Sequence, residues 1–195
     1  MAKTKRINPW ISVVWLSVPL ILLTGWDHTI ATPVTFVFQE AAVKGVTHTG
    51  MILVGLSLVL GPLGKFFDVF DQYLHFRKQL GIIGFLYVLL HGQLATVLYV
   101  WGSPELLQAQ LTSIVAGFVS LVLFFVCMQI SEIWAIKLLG KRWRPTLRYL
   151  SYSAFILGIV HIGFIEWEGW AEYALDPDRF LPPLSLVTTT FGITV

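Results

Sequence analysis

The stretch RKQLGIIGFLYVLLHGQLATVLYVW, Arg77 to Trp101, carries no acidic or basic side chain after Lys78 except a histidine in its middle. A run this long and apolar is stable as a helix, which satisfies its own backbone hydrogen bonds, inside a bilayer. The 14 residues from Arg77 to His91 climb roughly 20 Å at about 1.5 Å per residue, past the centre of a hydrocarbon layer about 30 Å thick. His91 is therefore expected deep in lipid. The arrangement recurs: Arg148 is followed by apolar sequence and, 13 residues later, by His161.

Composition places the whole chain in the same class. Its 195 residues are 56% hydrophobic and 12% charged, with a mean hydropathy of +0.75, which is the range of polytopic membrane proteins. The reading is an all-α transmembrane helical bundle forming a single integral membrane domain over residues 1–195. It has five spans, near 10–26, 49–67, 79–101, 111–136 and 147–167. An apolar tail, 181–195, is too short to span comfortably. The first span follows Lys3, Lys5 and Arg6 and contains Pro19; no A-x-A-like cleavage site follows closely, so it reads as a span rather than a signal peptide. Residues 27–47 read as a mixed loop, with a short interfacial helix as an option.

Charge placement orients the bundle. Of 13 Lys and Arg residues, 11 fall at the N-terminus, around the link between the second and third spans (Lys65, Arg77, Lys78), or around the link between the fourth and fifth (Lys137, Lys141, Arg142, Arg144, Arg148). With five spans these places share one side, which the positive-inside rule makes cytoplasmic, with the N-terminus. The other side receives Asp27, Glu40, Glu105, Glu166, Glu168, Glu172, Asp176 and Asp178. Trp10, Trp26, Trp101, Trp134, Trp143 and Trp167 mark the two interfaces as anchors.

In that topology the third and fifth spans run outward and bring His91 and His161 to matching depth in the outer half of the bilayer. Small residues accompany them: Gly84 and Ala95 around His91, Ala154 and Gly158 before His161. A planar group would fit there, and two neutral imidazoles on separate helices suit a six-coordinate haem b used for electron transfer. Either histidine alone would serve equally well to hydrogen-bond a neighbouring helix, and a small-residue stripe is also ordinary helix packing. The depth-matched pairing of two costly intramembrane groups favours iron ligation.

Other candidates are weaker. Glu132 is expected to be satisfied by Lys137 or the interface, with a proton-relay role as the alternative; His28 and His75 are interfacial. The single cysteine, Cys127, excludes an intrachain disulfide and a cysteine-based metal site. No G-x-G-x-x-G, P-loop or paired nucleophile and base is present. Oxidation of a flavin or nicotinamide therefore needs a partner protein, docked on the basic loops, and nothing points to nucleic acid.

The segments HTGMILVGLSLVLGPL, RKQLGIIGFLYVLLH and LGKRWRPTLRYLSYSAFILGIVH together resemble the ferric-reductase-like transmembrane family, and within it the bacterial MsrQ branch of haem-binding membrane subunits. The resemblance covers about residues 47–167. It implies a helical bundle carrying b-type haem that passes electrons from a cytoplasmic flavin donor across a bacterial inner membrane. His91 and His161 match the family's ligand histidines, and His48 matches the histidine before Thr-Gly at the start of its second helix. His48 is expected to lie shallower than the central pair, near enough for a propionate or a separate ligand.

The chain departs from the family at the start of its fifth span, where L-H-R-L-x-Y reads Leu147-Arg148-Tyr149-Leu150-Ser151-Tyr152. Arginine has no lone pair for iron. The expectation is one haem, with Arg148 holding a propionate or flavin phosphate, or anchoring the helix at the lipid surface. The sixth helix is truncated. Both departures keep a second class of function open: a structural or assembly subunit of a larger membrane complex.

Overall fold

The computed structural model describes residues 8–31, 37–97, 108, 110–175 and 184–194. Among them there is no strand, and the chain is the all-α membrane helical bundle that its composition implies. In order, the helices are α1 (Pro9–Ala31), α2 (Val37–Phe66), a 3-10 segment (Asp68–Phe76), α3 (Arg77–Ala95), α4 (Leu111–Ile130), a short α5 (Ile133–Leu139), α6 (Trp143–Leu175) and α7 (Leu184–Thr194). Three helical stretches, Ala41–Phe66, Leu111–Ile130 and Ile133–Leu175, are long and apolar enough to cross a bilayer. Residues 98–101 of the expected third span, the turn at Gly102 to Glu105, and the side chain of His28 lie outside the described residues.

The helices form two tightly packed groups, α1–α2–α3 and α4–α6, joined by thinner contacts of α3 on α4 and α2 on α6. Helix α2 is the centre. Half of its apolar window is buried inside the protein, against 22% for Leu111–Ile130, whose remainder is left for lipid. One face of α2 sends Leu53 into a cluster with Val13 of α1 and Leu80 and Ile83 of α3. Another sends Met51, Val54 and Leu58 against Phe85 of α3, Phe124 of α4 and Ala154, Phe155 and Ile162 of α6.

Inside each group the backbones approach closely, because lipid supplies no hydrophobic drive between helices and packing must replace it. At the α2–α3 crossing, a Cβ added to Gly84 would stand 2.9 Å from the Gly50 carbonyl oxygen and 2.9 Å from the Val54 nitrogen. Gly84 therefore serves helix contact and does not line a space beside His91. Hydroxyls tie the helices too: Ser17 of α1 meets Tyr87 of α3 at 2.7 Å, and Ser120 of α4 donates to the Ala154 carbonyl of α6 at 2.7 Å.

Two boundaries and one pairing differ from the expected ones. Helix α2 starts at Val37 and takes in much of the expected loop. Its N-terminal turns bury Ala41, Val43 and Val46, and Lys44, which argues locally for a loop, pairs with Glu166 of α6 at 3.3 Å. The expected fourth span, 111–136, divides at Ser131–Glu132. Ser131 donates its hydroxyl to the Cys127 carbonyl at 2.8 Å, Glu132 turns extended, and Trp143 donates its indole N–H to the Ile130 carbonyl at 2.7 Å. Glu132 pairs with Lys78 at 3.3 Å, across to α3, rather than with the expected Lys137.

The tail forms α7, packed on α6 and α2. Its buried side chains are Ser185, Thr188 and Thr189, one helical face at the spacing of successive turns. The polar face points inward, as membrane packing favours. Trp170 donates to the Ser185 hydroxyl at 2.9 Å, and Thr188 lies 3.4 Å from His48 Nδ1.

Candidate functional site: two histidines facing across the helix groups

His91 projects from α3 in one helix group and His161 from α6 in the other. Both are partly buried, and their ring centres are 6.4 Å apart with planes inclined at 63°. The sequence pairing by depth thus corresponds to a pairing in space. Neither ring is loose. His91 Nδ1 lies 2.5 Å from Thr47 Oγ1 of α2. His161 Nδ1 lies 2.7 Å from the Ser113 carbonyl and 2.9 Å from the Ser113 hydroxyl, both on α4. Each histidine is thus held by the helix packed beside its own.

Room for the His161 ring comes from α4 as well. A Cβ at Gly117 would fall 2.8 Å from His161 Nδ1 and 2.9 Å from its Cε1, so the imidazole rests directly on the Gly117 backbone. Ser113 and Gly117 are one turn apart on one face. Together they form a hydrogen-bonding wall and a floor for the ring.

The separation of the rings admits a metal test. An iron between two imidazoles has each ligating nitrogen about 2 Å away and each ring centre about 1 Å further back, so the centres stand roughly 6 Å apart. The observed 6.4 Å fits that span. Because both Nδ1 atoms are engaged, Nε2 is the nitrogen each ring has left for a metal.

The remaining candidates are not part of this pair. His48 is buried, and its neighbour Thr47 touches His91, so it sits at the level of the pair rather than shallower. Its Nδ1 is directed to Thr188 of α7, a different face of α2. Arg148 is exposed at the far end of α6, roughly 20 Å from His161 along the helix axis. It is close enough to Arg77 for their charges to interact. Of the small residues, Gly158 packs on Met51 and Ser120, and Ala154 is buried in the core. Sequence reasoning passed over Thr47, Ser113 and Gly117. A hydroxyl in an apolar helix commonly bonds its own backbone, as Thr47 also does to Val43, so the type of residue carries no signal without the fold.

No family model matches the chain. Curated proteins do, among them three each named protein-methionine-sulfoxide reductase heme-binding subunit MsrQ. The one from Agrobacterium fabrum is 33% identical over 109 residues, covering 54% of this chain and 49% of its own length. The one from Rhizobium meliloti is 32% identical over 111 residues, with the same coverages, and that from Brucella anthropi is 35% identical over 112 residues, 54% of this chain and 48% of its own. The chain spans about half the length of the curated relatives it matches, and over that half it is similar to them.

Proposed function

We propose that this chain is a haem-binding membrane subunit for electron transfer, holding one b-type haem between α3 and α6 through His91 and His161. The observation that carries the reading is the 6.4 Å separation of two imidazoles that come from different helix groups and are each fixed from behind. The similarity to heme-binding subunits supports it independently. A haem bound there would supply one-electron reduction and reoxidation, with His91 and His161 as the residues that would hold its iron.

The protein's own residues do the rest. His91 and His161 present Nε2 as the two ligands. Thr47 and Ser113 hold the rings, and Gly117 gives the His161 ring its seat. Arg148, remote from the pair and near Arg77, belongs to the cationic end of the bundle, where an acidic partner surface, a lipid phosphate or a flavin phosphate would be met. We place the N-terminus and the basic links on the cytoplasmic side, with five spans across a bacterial inner membrane. Electron donor and acceptor are separate redox partner proteins.

The test is a reduced-minus-oxidised visible spectrum of the purified chain, with haem counted per protein, for wild type, His91→Ala and His161→Ala. A sharp low-spin signal near one haem per chain, abolished by both substitutions, is the expected result. A folded wild-type chain that takes up no haem would overturn the proposal and leave a structural subunit whose histidines pack helices.

A further inference from the structure

Resting on the haem-binding reading, we propose that Thr47 and Ser113 are positioning residues that lock both imidazoles as the Nδ1–H tautomer, so that both Nε2 lone pairs are free for iron. The hydrogen-bond partners dictate it. A carbonyl oxygen only accepts, so the 2.7 Å contact between His161 Nδ1 and the Ser113 carbonyl requires the proton on Nδ1. The Ser113 hydroxyl directs its own proton to the His161 carbonyl at 3.2 Å, which leaves its oxygen as a second acceptor for Nδ1 at 2.9 Å.

The same logic runs in the other helix group with different atoms. Thr47 spends its hydroxyl proton on the Val43 carbonyl at 2.7 Å. Its oxygen can then only accept from His91 Nδ1, which lies 2.5 Å away. His91 thus has a hydroxyl oxygen behind it, and His161 a hydroxyl and a backbone carbonyl. An acceptor behind a ligating imidazole fixes its orientation and makes the ring a stronger electron donor to the metal. For a haem, stronger donation favours the ferric state. Losing a hydroxyl removes the Thr47 acceptor from His91 or one of the two Ser113 acceptors from His161, and raises the midpoint potential.

The first readout needs no haem. Nitrogen-15 NMR of histidine-labelled, haem-free protein in lipid bilayers reports which ring nitrogen carries the proton. The expected result is Nδ1–H for both His91 and His161, and Nε2–H on either would overturn the inference. The second readout uses the haem-loaded chain. Thr47→Val keeps the side-chain shape and loses the acceptor, and Ser113→Ala does the same for His161. Each is expected to weaken haem retention on the order of 10-fold to 100-fold and to raise the potential.

Thr47→Ser, which restores a hydroxyl, is expected to return both properties to wild type; this separates hydrogen bonding from packing. Haem retention and potential unchanged in both Thr47→Val and Ser113→Ala would sink the inference while leaving the bis-histidine reading intact. A wild-type chain with no low-spin signal would overturn the haem reading and, with it, the role assigned here.

Discussion

Gly117→Ala tests whether the seat under His161 matters. The added Cβ would lie 2.8, 2.9 and 3.0 Å from Nδ1, Cε1 and Cγ of the ring. Relieving three such contacts to ordinary van der Waals distance takes a retreat of about 0.5 Å or more. An unrestrained side chain would rotate away at little cost. This ring is held on the same helix face by Ser113, at 2.7 and 2.9 Å, so a retreat from Gly117 stretches those hydrogen bonds or moves α6. Overpacking of this kind costs about 1–3 kcal/mol, against a gain of up to about 1 kcal/mol from replacing glycine by alanine in a helix. The net expectation is a loss of roughly 1–2 kcal/mol, together with reduced haem content and a perturbed low-spin signal. Gly92→Ala is the control: it adjoins His91 in sequence, yet its added Cβ meets only Leu121 Cδ2 at 3.8 Å. Equilibrium unfolding in mixed micelles and haem per chain are measured for both. Equal stability and equal haem in the two variants would refute the geometry.

Gly84→Ala should lower stability by about 1–3 kcal/mol in the same unfolding assay, since two of the three atoms its Cβ would strike belong to the α2 backbone and have no rotamer to move to. Ser17→Ala and Tyr87→Phe, combined in a double-mutant cycle, should show a coupling of about 0.6 kcal/mol and no more than about 2, the range for interhelical hydrogen bonds in membranes. Gly140→Ala should destabilise the turn between α5 and α6 by about 1–3 kcal/mol, because Gly140 has φ +51° and ψ −124°, which side-chain-bearing residues avoid; unchanged stability would argue against that turn.

The pairing of His91 with His161 was legible because depth in a bilayer is a one-dimensional quantity. Counting from Arg77 and from Arg148 gives nearly the same rise, and no fold is needed to compare two rises. The class of fold was legible from apolar runs alone. The direction around each helix was not. Gly84 looked like space beside His91, but it faces α2; Glu132 looked local to Lys137, but its partner Lys78 is on another helix. Thr47 was hidden because Glu40 and Lys44 break the apolar pattern, and the partner that Lys44 finds, Glu166, is more than a hundred residues away. The tail was hidden for the opposite reason. Its hydroxyl face, read as a surface in a water-soluble protein, is the buried face here.

These errors share a physical origin that also explains the site. The histidine helices α3 and α6 lean on α2 and α4 rather than on each other, and the contacts within each group are rigid: backbone against backbone at Gly50 and Gly84, hydroxyl to carbonyl from Ser120 to Ala154. Each imidazole is oriented by its own group, through Thr47 in one and Ser113 in the other. Between the groups the Met51 side chain lies 3.1 Å from the Cβ position of Gly158, Lys44 pairs with Glu166, and α7 packs on both α2 and α6. Methionine is unbranched and adapts to irregular gaps. Each ring is therefore oriented by hydrogen bonds within its own helix group before the groups meet, which is the preorganisation that the proposed haem site would draw on.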